Sequence, residues 1–223
     1  MAVSARAPAR RADARRNVEA ILRAAVECLG KRPDATLAEI AEAAGVGRVT
    51  LYGHFSSRAE LLDAVMAHVL EHGNAVLDPV DLSGDPRAAL TRLIEASWEV
   101  LNQSRSILVA AQKELSPARI WELHERPAAR LAGLVERGQS EGVFRGDLPV
   151  SWLVVTLHNL MHAAADEIQA GRLTPDDAAD YISATALAAF TPPGSKVSRR
   201  AVRPTGSVDG SPPARAPGRR TSR

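Results

Sequence analysis

Two short amphipathic stretches separated by little more than a glycine, Thr36–Ala44 and Arg48–Phe55, constrain this chain more than any other feature. Thr36 is placed to N-cap the first, with Glu39 three residues on closing a capping box, and Leu37, Ile40, Ala41 and Ala44 then fall on one helical face. Gly45 ends that helix, because glycine alone takes φ > 0 there without steric cost. Gly47 sits at the N-cap of the second helix, whose Leu51 and Phe55 point inward. Arg48, Val49, Thr50, Tyr52, Gly53 and His54 therefore point outward. This is a helix-turn-helix, and the outward set is the face that a DNA major groove would meet.

The residues Thr36, Ile40-Ala41, Ala44-Gly45-Val46, Leu51-Tyr52, Phe55, Arg58 and Glu60-Leu61-Leu62 together strongly resemble the DNA-binding domain of the TetR/AcrR family of one-component transcriptional regulators. With the preceding helix the resemblance covers residues 13–72. Gly47 stands where a capping serine is common and Arg58 where lysine is usual; glycine caps only slightly less well, and arginine can hold a phosphate bidentately. The resemblance implies an all-α fold: an N-terminal three-helix DNA-binding domain, joined by a fourth helix to a C-terminal helical domain that binds an effector and dimerises. It also implies a homodimeric regulator, most often a repressor, that leaves a palindromic or pseudo-palindromic operator when a small molecule binds. No enzyme activity and no cofactor are expected.

Charge divides the chain sharply. The net charge is +2, yet residues 1–16 carry five Arg against one Asp and residues 191–223 carry eight Lys/Arg against one Asp, which leaves −9 on residues 17–190. An acidic body with basic ends meets DNA through local cations, so the arms and the helix-turn-helix are the expected contact surface. The single cysteine, Cys28, cannot form an internal disulfide and reads as a small buried hydrophobe in a reduced, cytoplasmic compartment. No apolar run of signal-peptide or membrane-span type occurs, so no membrane partner is expected.

Periodicity then sets the organisation: a basic arm over 1–12, expected to be disordered; a DNA-binding domain over 13–56, its first helix starting at Asp13 and running to Gly30; a linking helix over 57–72, opened by a Ser57/Glu60 capping box; and an effector and dimerisation domain over 57–190. Within that domain helices are expected at 86–103, 105–115, 118–125, 127–141, 149–170 and 175–190. Residues 152–168 are apolar nearly all round, and the last helix carries Ala184, Ala186, Ala188 and Ala189, so this pair is expected to meet its counterpart in a four-helix bundle. Residues 191–223 hold ten Pro or Gly among 33 and are expected to be a disordered basic tail.

The DNA-binding set is Thr36, Gly47, Arg48, Val49, Thr50, Tyr52, His54 and Arg58, with Arg48 and Thr50 near base edges, Tyr52 and His54 at the groove wall, and Thr36 and Arg58 as phosphate clamps. Trp98, Leu101, Ile107, Leu108, Trp121, Trp152, Val155, His158 and His162 are the candidate effector pocket. Two alternatives compete. His68, Glu71 and His72 match the H-x-x-E-H pattern of a zinc-dependent hydrolase, although no third-ligand motif accompanies them. His158, His162 and Asp166 share one helical face and read as polar groups lining the effector pocket, as hydrogen-bonded core or dimer-interface residues, or as a divalent metal sensor, and no metal site is assigned.

Overall fold

The structure, a computed structural model, describes residues 6–195, with side chains from Ala12 onward. Among the described residues there are nine α-helices and no strand: α1 (Arg6–Lys31), α2 (Leu37–Ala43), α3 (Arg48–His54), α4 (Arg58–Leu77), α5 (Pro86–Glu114), α6 (Pro117–Leu123), α7 (Glu125–Ser140), α8 (Val150–Gln169) and α9 (Pro175–Phe190). The all-α expectation holds, with two differences in helix extent. Residues 6–12 are helical rather than disordered, because α1 starts ahead of Asp13. Residues 1–5 and the basic tail beyond Ser195 lie outside the described residues. The helices expected at 86–103 and 105–115 are one continuous α5: the polar run Asn102-Gln103-Ser104 contains neither proline nor glycine, so nothing in it breaks the ladder.

Local chemistry sets the ends. Thr36 and Glu39 form the full capping box, and Gly45 adopts φ +69° to turn the chain into α3. At α4 the expected box is split between two serines: Ser57 Oγ accepts from the Glu60 N–H, while the Glu60 carboxylate takes the N–H and Oγ of Ser56. Proline follows the cap in α5, α6 and α9, where a missing N–H costs nothing.

The interior comprises two apolar clusters. One joins Ile21, Ala25 and Leu29 of α1, Ile40 of α2, Leu51 and Phe55, Leu61, Leu62, Val65 and Met66 of α4, and Ile107, Leu108, Ala110 and Ala111 of α5. The other lies among α5, α7, α8 and α9, around Leu90, Ile94, Trp98, Val135, Phe144, Leu153, Ile182 and Phe190. Helix α5, 29 residues and so about 44 Å long, is the element whose core side chains enter both. Where α4 crosses it, Gly73 admits Val100 so closely that a Cβ would lie 2.7 Å from Val100 Cγ1.

A second close approach locks the C-terminal cluster. The Phe144 ring packs edge-on to Phe190, with centroids 5.8 Å apart, and lies against the Cα of Gly138 in α7. A Cβ at Gly138 would stand 2.1 Å from Phe144 Cδ2, and the ring is fully buried with no free direction to move. Gly138→Ala is therefore expected to destabilise the protein by about 1–3 kcal/mol through overpacking. Chemical denaturation followed by circular dichroism checks this, and an unchanged midpoint would refute the packing account.

Candidate nucleic-acid interface and ligand cavity

The helix-turn-helix presents its second helix as the sequence pattern requires. Leu51 is fully buried and Phe55 nearly so, whereas Val49 is 88% and Tyr52 54% exposed. Gly47, Arg48 and Gly53 are also exposed, and Thr50 and His54 half-buried. Six expected contact residues, Gly47, Arg48, Val49, Thr50, Tyr52 and His54, thus lie on one short helix and its cap, and Val49 is a surface residue rather than part of the core.

Thr36 and Arg58 are placed differently from the phosphate clamps expected of them. The N–H and Oγ of Thr36 both donate to Glu39 Oε2, at 2.7 and 2.8 Å, so its donors already serve an anion. Those bonds, with the 2.5 Å contact from Arg32, hold the Glu39 carboxyl down at about 2. Arg58 turns inward: its guanidinium donates to the carbonyls of Ala35 and Pro33 and lies 3.6 Å from Glu114. It clamps the loop before α2 to α4 and to the end of α5. The motif marks this position, but the role it serves here is internal.

A cavity of about 140 Å³ lies between α4, α5, α6, α7 and α8. Its walls are apolar, with Met66, Val69 and Leu70 from α4 facing Leu101, Leu131 and Met161. Of the nine residues expected to form a pocket, Leu101, Leu108, Trp121, His158 and His162 line it. The other four do not. Trp98 is core, with its indole N–H donating to the Pro175 carbonyl at 3.3 Å. Ile107 is buried in the N-terminal cluster, Trp152 is 58% exposed on the outer face of α8, and Val155 lies outside the cavity lining. Sequence reasoning weighted aromatic type over helical face, which is what separates these residues.

It also missed His124 and Arg130. His124 stands at the break between α6 and α7 with its Nδ1 2.7 Å from the Ile120 carbonyl, and its ring centroid lies 5.2 Å from His158 and 6.1 Å from His162, which are 4.3 Å from each other. Trp121 sits edge-on to His158 at 5.1 Å and is 41% exposed, so it borders the mouth. Its i, i+3 spacing from His124 was the available signal. Arg130 is paired with Asp78 of the α4 C-cap, and its second terminal nitrogen is buried without a partner. No Asp or Glu lines the cavity. Burial lowers the pKa of all three histidines, and that of His158, with the charges of His162 and His124 adding to the effect, falls to about 4.

The zinc hydrolase geometry is not there. His68, Glu71 and His72 are exposed on α4, Glu71 lies 3.4 Å from Arg126, and the two histidines border an open cleft against α1 and α5. Among the described residues no group of three or more His, Cys, Asp or Glu side chains is arranged to hold a metal ion. No described helix is long and apolar enough to cross a membrane.

An exposed recognition-type helix braced by a longer helix that also walls an apolar cavity defines a helix-turn-helix protein with an internal ligand-sized space. Residues 21–65 match the model for bacterial regulatory proteins of the tetR family. The HTH-type transcriptional regulator NfxB of Pseudomonas aeruginosa is 30% identical over 169 residues, 72% of this chain and 87% of NfxB. The HTH-type transcriptional repressor LfrR of Mycolicibacterium smegmatis is 41% identical over 86 residues, 38% of this chain, and there the chain spans only about half of its relative, 46%. The crystal structure of LfrR in complex with proflavine superposes with a TM-score of 0.61 at 26% identity, covering 79% of this chain and 97% of that one. The chain belongs to the TetR family.

The histidine cluster has a pH signature. Unfolded, these imidazoles protonate near 6.5; folded, His158 resists protonation until about 4, so between those values the unfolded chain binds more protons. Their contribution to stability is whole above pH 6.5 and is lost as pH falls toward 4. The melting temperature is expected to drop on acidification from pH 7 to 5, and less steeply in His158→Phe. A His158 ring resonance that titrates near 6.5 in NMR would contradict the burial argument.

Proposed function

We infer that this protein is a homodimeric DNA-binding transcriptional regulator, a repressor whose hold on its operator weakens when a small molecule occupies the cavity. In this reading residues 13–56 read DNA, α4 links, and the helices that follow bind the effector and the second subunit. The observation that carries it is the double use of α4: Leu61, Leu62 and Val65 pack under the helix-turn-helix, while Val69, Leu70 and Leu77 line the cavity and Met66 does both. A ligand that displaces the cavity wall must move the helix on which the DNA-reading unit rests. Ion pairs reinforce the link, since Arg119 of α6 grips Asp63 through both oxygens, at 2.6 and 3.1 Å, and Arg126 and Arg130 of α7 hold Asp78. Two recognition helices in a dimer must meet successive major grooves about 34–36 Å apart, so a shift of a few ångströms forfeits one half-site.

Dimerisation is supported by the outer face of α8 and α9. Helix α8 leaves the apolar Trp152 and Ala163 exposed together with Asn159, and α9 leaves Tyr181, Ala184 and Ala188 exposed, so both helices keep small and aromatic residues outside the core. Small side chains let a partner helix pair approach closely.

A duplex selected from a random library supplies the test. Arg48→Ala should weaken its binding by about 1–3 kcal/mol, and Tyr52→Phe by less, with the circular dichroism spectrum unchanged. Wild-type affinity in both variants would remove the α3 assignment. Separately, Ala184→Glu is expected to yield monomers in sedimentation and to weaken operator binding more than tenfold by uncoupling the half-sites. A wild-type protein that sediments as a monomer at micromolar concentration would end the dimer reading.

A further inference from the structure

Taking the cavity as the effector site of that regulator, we propose that its occupant is an uncharged aromatic alcohol of about single-ring size, with its hydroxyl held between His124 Nε2 and a ring N–H of His158 or His162. Size comes first. The cavity measures about 140 Å³, and a closed apolar cavity of about 150 Å³ takes up benzene.

The hydrogen-bonding inventory then selects the head group. The Ile120 carbonyl can only accept, so the His124 Nδ1 beside it carries the proton, and the neutral ring presents Nε2 as a bare acceptor. His158 and His162 make no hydrogen bond to the protein, and each neutral imidazole keeps one donor and one acceptor. A hydroxyl both donates and accepts, and so matches the cluster without any change of protonation. A carboxylate only accepts: it would face the His124 lone pair as a desolvated charge, and the one guanidinium on the wall, Arg130, already has its charge offset by Asp78 and keeps a single unpartnered nitrogen. A cation finds no carboxylate on the wall, only that same guanidinium. A bare hydrocarbon would displace water from His124 Nε2 and from both nitrogens of His158 and His162 without replacing a hydrogen bond. The edge of Trp121 at the mouth favours an aromatic body over an aliphatic one.

Calorimetric titration of the full-length protein with phenol, its isostere toluene, benzoate and benzylammonium is the experiment. Burying an unpaired hydroxyl costs about 1–3 kcal/mol, so a cavity that offered no partner would bind phenol about tenfold or more below toluene. Phenol is expected to match or exceed toluene, with both ions weakest. In His124→Phe, phenol should fall about tenfold or more relative to toluene. If that variant does not fold, the double variant His158→Phe with His162→Phe carries the same expectation. Phenol bound about tenfold or more weaker than toluene by the wild-type protein, or either benzoate or benzylammonium bound tightest, overturns the assignment of the hydroxyl but leaves a ligand-filled cavity. Binding of none of the four, while selected DNA still binds, overturns the effector site itself and this inference with it.

Discussion

Helix α4 carries two obligations that are set by different parts of the molecule. Its first half must bury Leu61, Leu62 and Val65 under the helix-turn-helix, and its second half must close the wall of a cavity through Val69, Leu70 and Leu77. The contact of Gly73 with Val100 fixes how near it runs to α5, and α5 in turn spans both apolar clusters. The same helix thus serves the N-terminal cluster and the cavity wall, and α5 joins that cluster to the C-terminal one. That is the physical basis on which a ligand-dependent change in DNA affinity would rest.

The helix-turn-helix was legible in the sequence because its determinants are local. A capping box needs only Thr36 and Glu39, a left-handed turn needs only Gly45, and the facing of Leu51 against Tyr52 follows from helical period alone. Side-chain commitments between elements were not legible. Arg58 looks the same in sequence whether it faces a phosphate or the carbonyls of Pro33 and Ala35, and only the folded loop supplies those carbonyls. The cavity shows the same limit: Trp98 and Trp152 are as aromatic as Trp121, but one is core and the other lies on the outer face of α8. His124 had only its i, i+3 spacing from Trp121 to mark it, and that spacing does not show that α6 ends there and turns the ring toward His158.

Burial in the cavity works against charge on both sides of the interaction. Desolvation favours the neutral form of all three imidazoles, and no carboxylate lines the cavity, so the proposed polar end would read hydrogen-bonding pattern rather than net charge. The solved relative holds proflavine, a fused three-ring dye.

The links from α6 and α7 to α4 are mostly made at the surface, by Arg119 with Asp63, Arg126 with Glu71 and Asp78, and Arg130 with Asp78. Exposed ion pairs soften as the Debye length shrinks to about 8 Å at physiological ionic strength and further beyond it. Salt would therefore reach a regulator of this design by two routes. It competes for the phosphates of the DNA, as it does for any such protein, and on the proposed mechanism it would also loosen the joint between α4 and the helices that wall the cavity. Cells under osmotic stress would then see not only weaker binding but a blunter response to the ligand.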